Sequence, residues 1–359
     1  MNIKDKAYDI LKGNINRVFI PRWDLLYNAL KTTDSLGKLS GLSYYDCSRE
    51  LGFGIASIRN KAYIERIAGV EQEVVVSGND TMTKYKTPYG EISTLYRTSA
   101  ELMKQGVRGL VTEFLIKEGK DIDAALYLIE KTEITDAHDL IAEEIKKTGN
   151  DGVVIAQAGY VPYHEFMRIW TGYEQSYFLA IDEEDKVKEL LDALANKFDK
   201  IRRICLESPA DIITVDGHFN TMLMPPYMYE NYMFKELKTF GGDLHEKGKF
   251  MCSHTDAEMK GFLTMFLNTG FDIAEAYTPP PMTETSLQEA YGAWGDRVTI
   301  WGGIASCILS DGISEEDFKN YVEQTLADTE NRRFIAGIGD NAPTDAIMPR
   351  MAYLAEKFM

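Results

Sequence analysis

The feature of this sequence that most constrains its fold is a regular alternation of two kinds of segment in its second half. Short apolar runs bounded by glycine or proline predict strands, and longer segments with apolar residues three or four positions apart predict helices. The predicted strands occupy residues 151–159, 210–217, 248–254, 271–278, 297–304 and 332–339. Apolar strands that alternate with helices form parallel sheets, so we predict an α/β fold.

Start and stop signals mark several of the intervening helices. Ser314 precedes three acidic residues and is the predicted N-cap of a helix, because its hydroxyl can accept a backbone hydrogen bond. Pro226, a favoured first-turn residue, opens a predicted helix within 225–248. Gly270 ends a predicted helix over 256–270.

The apolar run 17–20 and one more strand in the middle of the chain bring the predicted number of strands to eight. Eight strands favour a (β/α)8 TIM barrel with an N-terminal extension over an open doubly wound sheet. The sequence also lacks a GxGxxG phosphate-binding fingerprint. Residues 83–99 alternate around a Pro-Tyr-Gly turn and predict a β-hairpin insertion. No linker is evident, so we predict a single domain over 1–359.

Composition excludes some functions. Lysine and arginine total 39 and aspartate and glutamate total 56, which gives a net charge of −17. Such a chain repels phosphate backbones, so we expect no nucleic-acid partner. The 4 cysteines form no CxxC pair, which favours a reducing compartment. No signal peptide or membrane-spanning run is evident, so we expect a cytoplasmic enzyme or binding protein without a membrane partner.

Polar side chains gather where the predicted strands end, which is the active-site face of an α/β barrel. These strand-end residues are Asp216, His218, His254, Asp256, Glu275, Cys307 and Asp340. His254, Glu275 and Cys307 offer one nitrogen, one oxygen and one sulfur. Three protein ligands leave a fourth position open, as in catalytic zinc sites. We therefore predict a zinc site made by these three residues.

Each of the three predicted ligands also has an interpretation that involves no metal ion. His254 is then a hydrogen-bonding residue, Glu275 the partner of a lysine, and Cys307 a small buried hydrophobe. Cys252 lies two residues before His254 and shares its face of the strand. It is a further candidate ligand, but its deeper position favours core packing.

Three residues are candidates for catalysis. Asp256 is a metal ligand, a hydrogen-bond partner of His254 or the N-cap of the following helix. Asp216 and His218 either take part in acid–base chemistry or orient the substrate.

Several blocks resemble the uroporphyrinogen decarboxylase superfamily over most of the chain. "TPYGEISTLYRT" is similar to its TPxG hairpin, "ADIITVDGHFNTMLMPPYMYENYMF" to its central acidic block, and "GDRVTIWGGIASCIL" to its late strand. "CSHTDAEMKGFLTMFLNTGFDIAEAYTPPP" resembles its histidine-containing segment. The region "FIPRWDLLYNALKTTD" lacks the decarboxylases' RQAGRY motif, which argues against porphyrinogen decarboxylation. The resemblance implies the TIM-barrel fold and favours the cobalamin-linked methyltransferase branch.

The resemblance also bears on the metal ligands. Coenzyme M methyltransferases of this superfamily bind zinc through an HxC motif and a later cysteine. His254 matches the histidine, Asp256 stands at the first cysteine position, and Cys307 lies near the second. A site with fewer thiolates is harder and suits an oxygen ligand.

The resemblance therefore implies the methyltransferase component of an O-demethylase system. Zinc would polarise the ether oxygen of a methoxylated, aromatic substrate, and cob(I)alamin would receive the methyl group. The chain has no DxHxxG corrinoid motif, so cobalamin is expected on a separate corrinoid protein. Transfer to a thiol, transfer from methanol or a methylamine, and a barrel that only binds a ligand remain the alternatives.

Overall fold

The computed structural model describes residues 1–104, 109–215, 219–221 and 223–359. The contacts divide the chain into two compact units. Unit 1 contains Met1–Lys61, His138–Gln157 and Ser208–Met359, and unit 2 contains Ala62–Ala137 and Ala158–Glu207. The single domain over 1–359 stays a prediction.

The strands of the described residues are numbered in chain order. They are β1 (Ile55–Lys61), β2 (Tyr63–Ile67), β3 (Glu71–Ser77), β4 (Asp80–Thr87), β5 (Gly90–Arg97), β6 (Leu110–Glu113), β7 (Thr132–Asp136), β8 (Gly152–Gly159), β9 (Ile212–Val215), β10 (Phe250–His254), β11 (Ile273–Tyr277), β12 (Thr299–Ile304) and β13 (Phe334–Ile338).

The α-helices of the same residues are also numbered in chain order. They are α1 (Ile3–Leu11), α2 (Asp24–Thr32), α3 (Tyr44–Glu50), α4 (Ala100–Lys104), α5 (Ile122–Glu130), α6 (His138–Thr148), α7 (Pro162–Glu165), α8 (Tyr173–Asp182), α9 (Glu184–Glu207), α10 (Pro226–Tyr232), α11 (Phe234–Glu246), α12 (Leu263–Thr269), α13 (Leu287–Trp294), α14 (Glu315–Asp328) and α15 (Met348–Phe358). No helix in the described part of the chain is both long and apolar enough to cross a membrane.

The main sheet has seven strands in the order β1-β8-β9-β10-β11-β12-β13. The pairs β1–β8, β9–β10, β10–β11, β11–β12 and β12–β13 are parallel. The six strands predicted for the second half are all present, although masked residues follow Val215 at the end of β9. The remaining strand of the sheet is β1, at Ile55–Lys61, which lies well before the middle of the chain, where the further strand was predicted. These observations confirm a parallel α/β fold.

The predicted strand over 17–20 appears in the structure as an isolated parallel bridge between Phe19 and Ala336 of β13. The described strands therefore form a seven-stranded sheet. The predicted closed barrel needs an eighth strand, which these strands do not include.

The core of unit 1 lies where α1 meets the strands. Its members are apolar, almost fully buried side chains from α1, residues 18–20 and six strands: Ala7, Ile10, Leu11, Val18, Ile20, Val153, Ile155, Ile212, Cys252, Ile273, Trp301 and Ile335. Cys252 is 0% exposed in this cluster, so the core-packing interpretation of this residue is correct. The core fills the sheet away from the strand ends where the polar residues gather.

Unit 2 contains a four-stranded antiparallel sheet in the order β3-β4-β5-β6 and a two-stranded sheet, β2-β7. The predicted hairpin is β4 and β5, which pair antiparallel up to Thr87 and Gly90 around the turn. Unit 2 also contains the long helix α9. Its buried residues lie three or four positions apart, as an amphipathic helix requires.

The predicted N-cap at Ser314 is confirmed, and the helix predicted within 225–248 is wrong. The hydroxyls of Ser286 and Ser314 accept backbone hydrogen bonds at the starts of α13 and α14. The helix predicted within 225–248 is two helices, α10 and α11. Met233 separates them because it leaves helical geometry, with φ −126°, and is buried.

The helix predicted over 256–270 begins only at Leu263, and its N-cap is Phe262. Turns occupy the preceding residues, where the Glu258 carboxylate accepts hydrogen bonds from the backbone N–H groups of Lys260 and Glu284. A side chain that binds backbone donors in this way competes with helix formation. The N-cap interpretation of Asp256 is therefore wrong.

A bulge in β11 depends on a glycine in β12. The register between these strands shifts between Glu275 and Tyr277, and Ala276 takes a left-handed φ of 58°. Gly302 lies opposite Tyr277 with φ 132°. A Cβ on Gly302 would lie 2.6 Å from the backbone nitrogen of Tyr277.

We predict that Gly302→Ala lowers the free energy of unfolding by about 2–3 kcal/mol, because the methyl group meets backbone and the φ is strained. Gly292→Ala is the control, since an added Cβ there meets nothing within 4 Å in α13. It should stabilise the protein by about 0.5–1 kcal/mol. Urea denaturation measures both variants. Equal stabilities would contradict the importance of the bulge.

Candidate functional site

The candidate site is built at the carboxyl ends of three strands of unit 1. His254 is the last residue of β10 and pairs with Glu275 of β11. Asp256 follows His254 in the loop after β10, and Asp340 follows β13. The hydroxyl and the backbone N–H of Thr255 both donate to the Glu275 carbonyl, at 2.9 and 2.7 Å, and so join the ends of β10 and β11.

The two nitrogens of the His254 ring face different partners. Nδ1 lies 2.6 Å from Oε2 of Glu275, which is a short hydrogen bond. Nε2 lies 3.4 Å from Oδ2 of Asp256 and 3.6 Å from Oδ1 of Asp340. The ligand-type atoms of His254, Asp256 and Asp340 all lie within 4.8 Å of one another. Across the described residues, this is the one group of three with metal-site geometry.

These distances fit a zinc ion. Two donors that are each about 2.1 Å from a tetrahedral zinc ion lie about 3.4 Å apart. The two Nε2–carboxylate separations, 3.4 and 3.6 Å, are close to this value, and the two carboxylate atoms lie within 4.8 Å of each other. Glu275 is hydrogen-bonded to the other ring nitrogen, Nδ1, and fixes the orientation of the ring, as carboxylates do for metal-binding histidines. The chemistry of the donors suits zinc or a harder divalent cation.

The backbone aims these side chains through unusual conformations. Ala276, next to Glu275, and Asp340 itself both have positive φ values, 58° and 60°. Such conformations cost about 1–3 kcal/mol each and often accompany functional sites. The bulge at Ala276 breaks the in–out alternation of β11 just after Glu275.

Arg22 is a buried cation beside the site. Its Nη1 donates to Oδ1 of Asp340 at 3.0 Å, which is the oxygen that approaches His254. Burial lowers the pKa of Arg22, but the charges of Glu275, Asp340, Asp24 and Asp256 outweigh that effect and raise it. Arg22 therefore remains charged and offsets part of the negative charge around His254.

The pKa of His254 is strongly perturbed. Burial lowers it, but the charge of Glu275 and the hydrogen bonds to Asp256 and Glu275 raise it from 6.5 to about 10. The metal-free protein therefore carries an imidazolium at neutral pH. A metal ion at Nε2 must displace that proton.

A cavity of about 740 Å³ opens at Asp256. Its lining comes from the segments that follow β9, β10 and β11: Asn220, Thr221, Asp256, Ala257, Glu258, Lys260, Gly261, Pro281, Met282, Thr283 and Glu284. Glu258 joins two of these segments, because its carboxylate accepts from the N–H of Lys260, the N–H of Glu284 and the hydroxyl of Thr285. Asp256 belongs both to the metal-type group and to this lining.

The structure brings together only part of the predicted ligand set. His254 and Glu275 are in direct contact, but neither Glu275 nor Cys307 belongs to the described group of three. Cys307 lies in a short 3-10 helix, Ser306–Leu309, after β12, and burial raises the pKa of its thiol. The predicted catalytic residues Asp216 and His218 lie outside the described residues.

Sequence reasoning missed Arg22. This residue follows the apolar run 17–20, just as other polar residues of the site follow strands. The same strand-end rule, applied to that run, would have selected it. Its ion pair with Asp340, 318 positions away, is a tertiary contact that no local pattern shows.

Comparisons with known proteins agree with this fold. Residues 131–357 match the model of the family described as Uroporphyrinogen decarboxylase (URO-D). The chain therefore belongs to the uroporphyrinogen decarboxylase family, which confirms the resemblance seen in the sequence.

A solved structure gives an informative likeness. The chain resembles a methyltransferase from Methanosarcina mazei with a TM-score of 0.56 and 13% identity, over 99% of this chain and 98% of that one. This likeness shows a shared fold. Dispersin B matches 67% of the chain and 76% of its own at 11% identity, but its TM-score of 0.30 carries no argument. The comparison with curated proteins finds no match.

We predict that Asp340→Asn lowers zinc affinity at least tenfold, because an amide oxygen replaces a charged donor. Cys307→Ser is the control and should retain zinc, as should Cys252→Ser. Equilibrium dialysis followed by metal analysis measures the bound zinc. Loss of zinc from Cys307→Ser with retention in Asp340→Asn would support the ligand set expected from the sequence instead.

Zinc binding should be coupled to the loss of a proton from His254. Zinc binding at pH 8 should release about one proton, because the pKa of His254 is raised to about 10 in the metal-free protein. Apparent affinity should rise about tenfold per pH unit towards pH 10 and level off above it. Calorimetry in buffers of different ionisation enthalpy measures the release. Binding without proton release would contradict the assigned charge of His254.

Proposed function

We propose that this protein is a zinc-dependent methyltransferase that moves a methyl group from a methoxylated compound to the cob(I)alamin of a separate corrinoid protein. The observation that carries the proposal is the convergence of His254, Asp256 and Asp340, of which Asp256 also lines a cavity of about 740 Å³. Family membership and the fold shared with a methyltransferase support methyl transfer as the reaction to test first.

The donor set supports an oxygen-linked methyl group over a thiol. One imidazole and two carboxylates make a harder site than thiolates do, and hard sites favour oxygen ligands. Zinc, when bound, supplies a Lewis acid that stabilises negative charge on the departing oxygen. Asp256 is the group member that lines the cavity, so the ether oxygen would approach the metal beside Asp256.

The remaining residues hold this arrangement. Glu275 fixes the ring of His254 through Nδ1, so that Nε2 faces Asp256 and Asp340. Arg22 donates a hydrogen bond to the carboxylate of Asp340 and offsets its negative charge. Glu258 joins the two loops that carry Asp256 and Glu284, and so keeps the cavity walls in place.

Methyl transfer breaks one bond to the methyl carbon and forms another. The bond between the methyl carbon and the ether oxygen breaks, and its electron pair stays on the oxygen. The methyl carbon forms its new bond with the electron pair of cob(I)alamin, so cobalt is formally oxidised from I to III. The oxygen takes up one proton and leaves as an alcohol or phenol. Asp216 and His218 remain candidates for handling this proton.

The family resemblance implies an aromatic ring on the methyl donor. That part of the substrate stays a prediction, because the described lining of the cavity contains no aromatic side chain. Aromatic residues nearby, such as Phe219, Phe262 and Phe266, are buried against one another.

We also propose that residues 18–20 close the sheet into an eight-stranded barrel. The N–H of Ile20 donates to the Ala336 carbonyl at 2.8 Å, and the N–H of Ala336 donates to the Val18 carbonyl at 3.0 Å. On the other side, the N–H of Gly54 donates to the Phe19 carbonyl at 2.9 Å, next to β1. These bonds support a short strand between β13 and β1, which would make the fold a TIM barrel.

The test combines zinc-loaded protein, a reduced corrinoid protein and single methyl donors. Methoxylated compounds should convert cob(I)alamin to methylcobalamin, and the change in its absorption spectrum follows the reaction. Asp340→Asn should lose most of this rate, and Cys307→Ser should keep it.

Methylation from methanol, methylamines or methyl thiols alone would overturn the assignment of the donor. Failure of every donor, with zinc bound and the corrinoid fully reduced, would overturn methyl transfer itself and favour a barrel that only binds a ligand.

A further inference from the structure

The cavity beside the candidate metal group carries an excess of negative charge. Three of its described lining residues are acidic, Asp256, Glu258 and Glu284, and one, Lys260, is basic. Two more carboxylates, Glu275 and Asp340, contact His254 behind Asp256. The net charge of these side chains remains negative when Arg22 and a divalent metal ion are added to the sum.

The basic groups nearby are already engaged by carboxylates. The ammonium of Lys260 lies 3.8 Å from Oε2 of Glu284, and both side chains are exposed. Arg22 is buried, and its Nη1 donates a hydrogen bond to Asp340. Its positive charge interacts with four carboxylates. Among the described lining residues, no cation is therefore placed to bind a substrate carboxylate without giving up its own partner.

Glu258 is held in the cavity wall by hydrogen bonds. Its carboxylate accepts from the Thr285 hydroxyl and from the backbone N–H groups of Lys260 and Glu284, the last two at 2.8 and 2.5 Å. These donors fix the position of the carboxylate beside the cavity.

We infer that the methyl donor of this site carries no carboxylate and is an uncharged or cationic methoxylated compound. The inference rests on the proposed function and specifies its substrate class. A carboxylate placed in the cavity would meet a net surplus of like charges, and such juxtaposition opposes binding. An ammonium group would meet Glu258 or Glu284 instead.

The test uses donors that differ in charge but little in shape. One set is methoxyacetate, 2-methoxyethanol and 2-methoxyethylamine, and the other is 3-methoxybenzoate, 3-methoxyphenol and 3-methoxybenzylamine. Within each set, kcat/KM with reduced corrinoid protein should be at least about tenfold lower for the carboxylate than for the neutral and cationic compounds. The difference should shrink as salt is added.

Binding gives a second readout that does not depend on turnover. Ligand-observed NMR with the zinc-loaded protein should rank the six compounds in the same order of charge. A carboxylate that binds and reacts best in either set would overturn the inference and leave methyl transfer standing. Absence of both binding and turnover for all six would overturn the inference together with the proposed function.

A charge reversal checks that the cavity causes the ranking. Glu284→Lys should raise the ratio of methoxyacetate to 2-methoxyethylamine kcat/KM about tenfold, because it adds two positive units to the lining. Glu356→Lys is the matched control on the exposed face of α15 and should leave the ratio unchanged. Equal ratios in the two variants would contradict the role of the cavity charge.

Discussion

The hydrogen bond between Nδ1 of His254 and Oε2 of Glu275 is the contact on which the rest of the site depends. Because one ring nitrogen is held by Glu275, the other must face Asp256 and Asp340. The parallel register of β10 and β11 makes the contact possible, since it places the two residues side by side. The bulge that follows Glu275, and the absence of a Cβ at Gly302, allow β11 to end in this geometry.

Charge is the second constraint. Four carboxylates surround Arg22, and such a group is costly to bury without compensating cations. Arg22 supplies one positive charge, and the protonated ring of His254 supplies another in the metal-free protein. A divalent ion would replace the proton of His254 and restore the balance. The same surplus of carboxylates extends into the cavity and gives it its selectivity for charge.

Much of the fold followed from local patterns, because strand and helix periodicities and serine caps act over a few residues. The parallel sheet, the hairpin and the cap at Ser314 are examples. The failures involve tertiary contacts. Residues 256–262 do not form a helix because Glu258 binds backbone groups of a distant loop, and Met233 divides a helix where it enters the core.

The sequence and the structure place the candidate site among the same strand-end residues, but only the structure gives its distances. The strand-end rule selected His254, Asp256 and Glu275, yet it could not show which nitrogen of His254 faces which carboxylate. It also ranked Cys307 above Asp340, because donor chemistry was visible in the sequence and separation in space was not. Arg22 was not identified as a site residue because its contact with Asp340 joins residues from opposite ends of the chain.

The measurement that tests the central claim most directly is X-ray absorption at the zinc edge of the metal-loaded protein. The account predicts a shell of nitrogen and oxygen atoms alone, at about 2.0–2.2 Å, from His254, Asp256 and Asp340. A sulfur atom at about 2.3 Å would contradict it and return Cys307 to the metal.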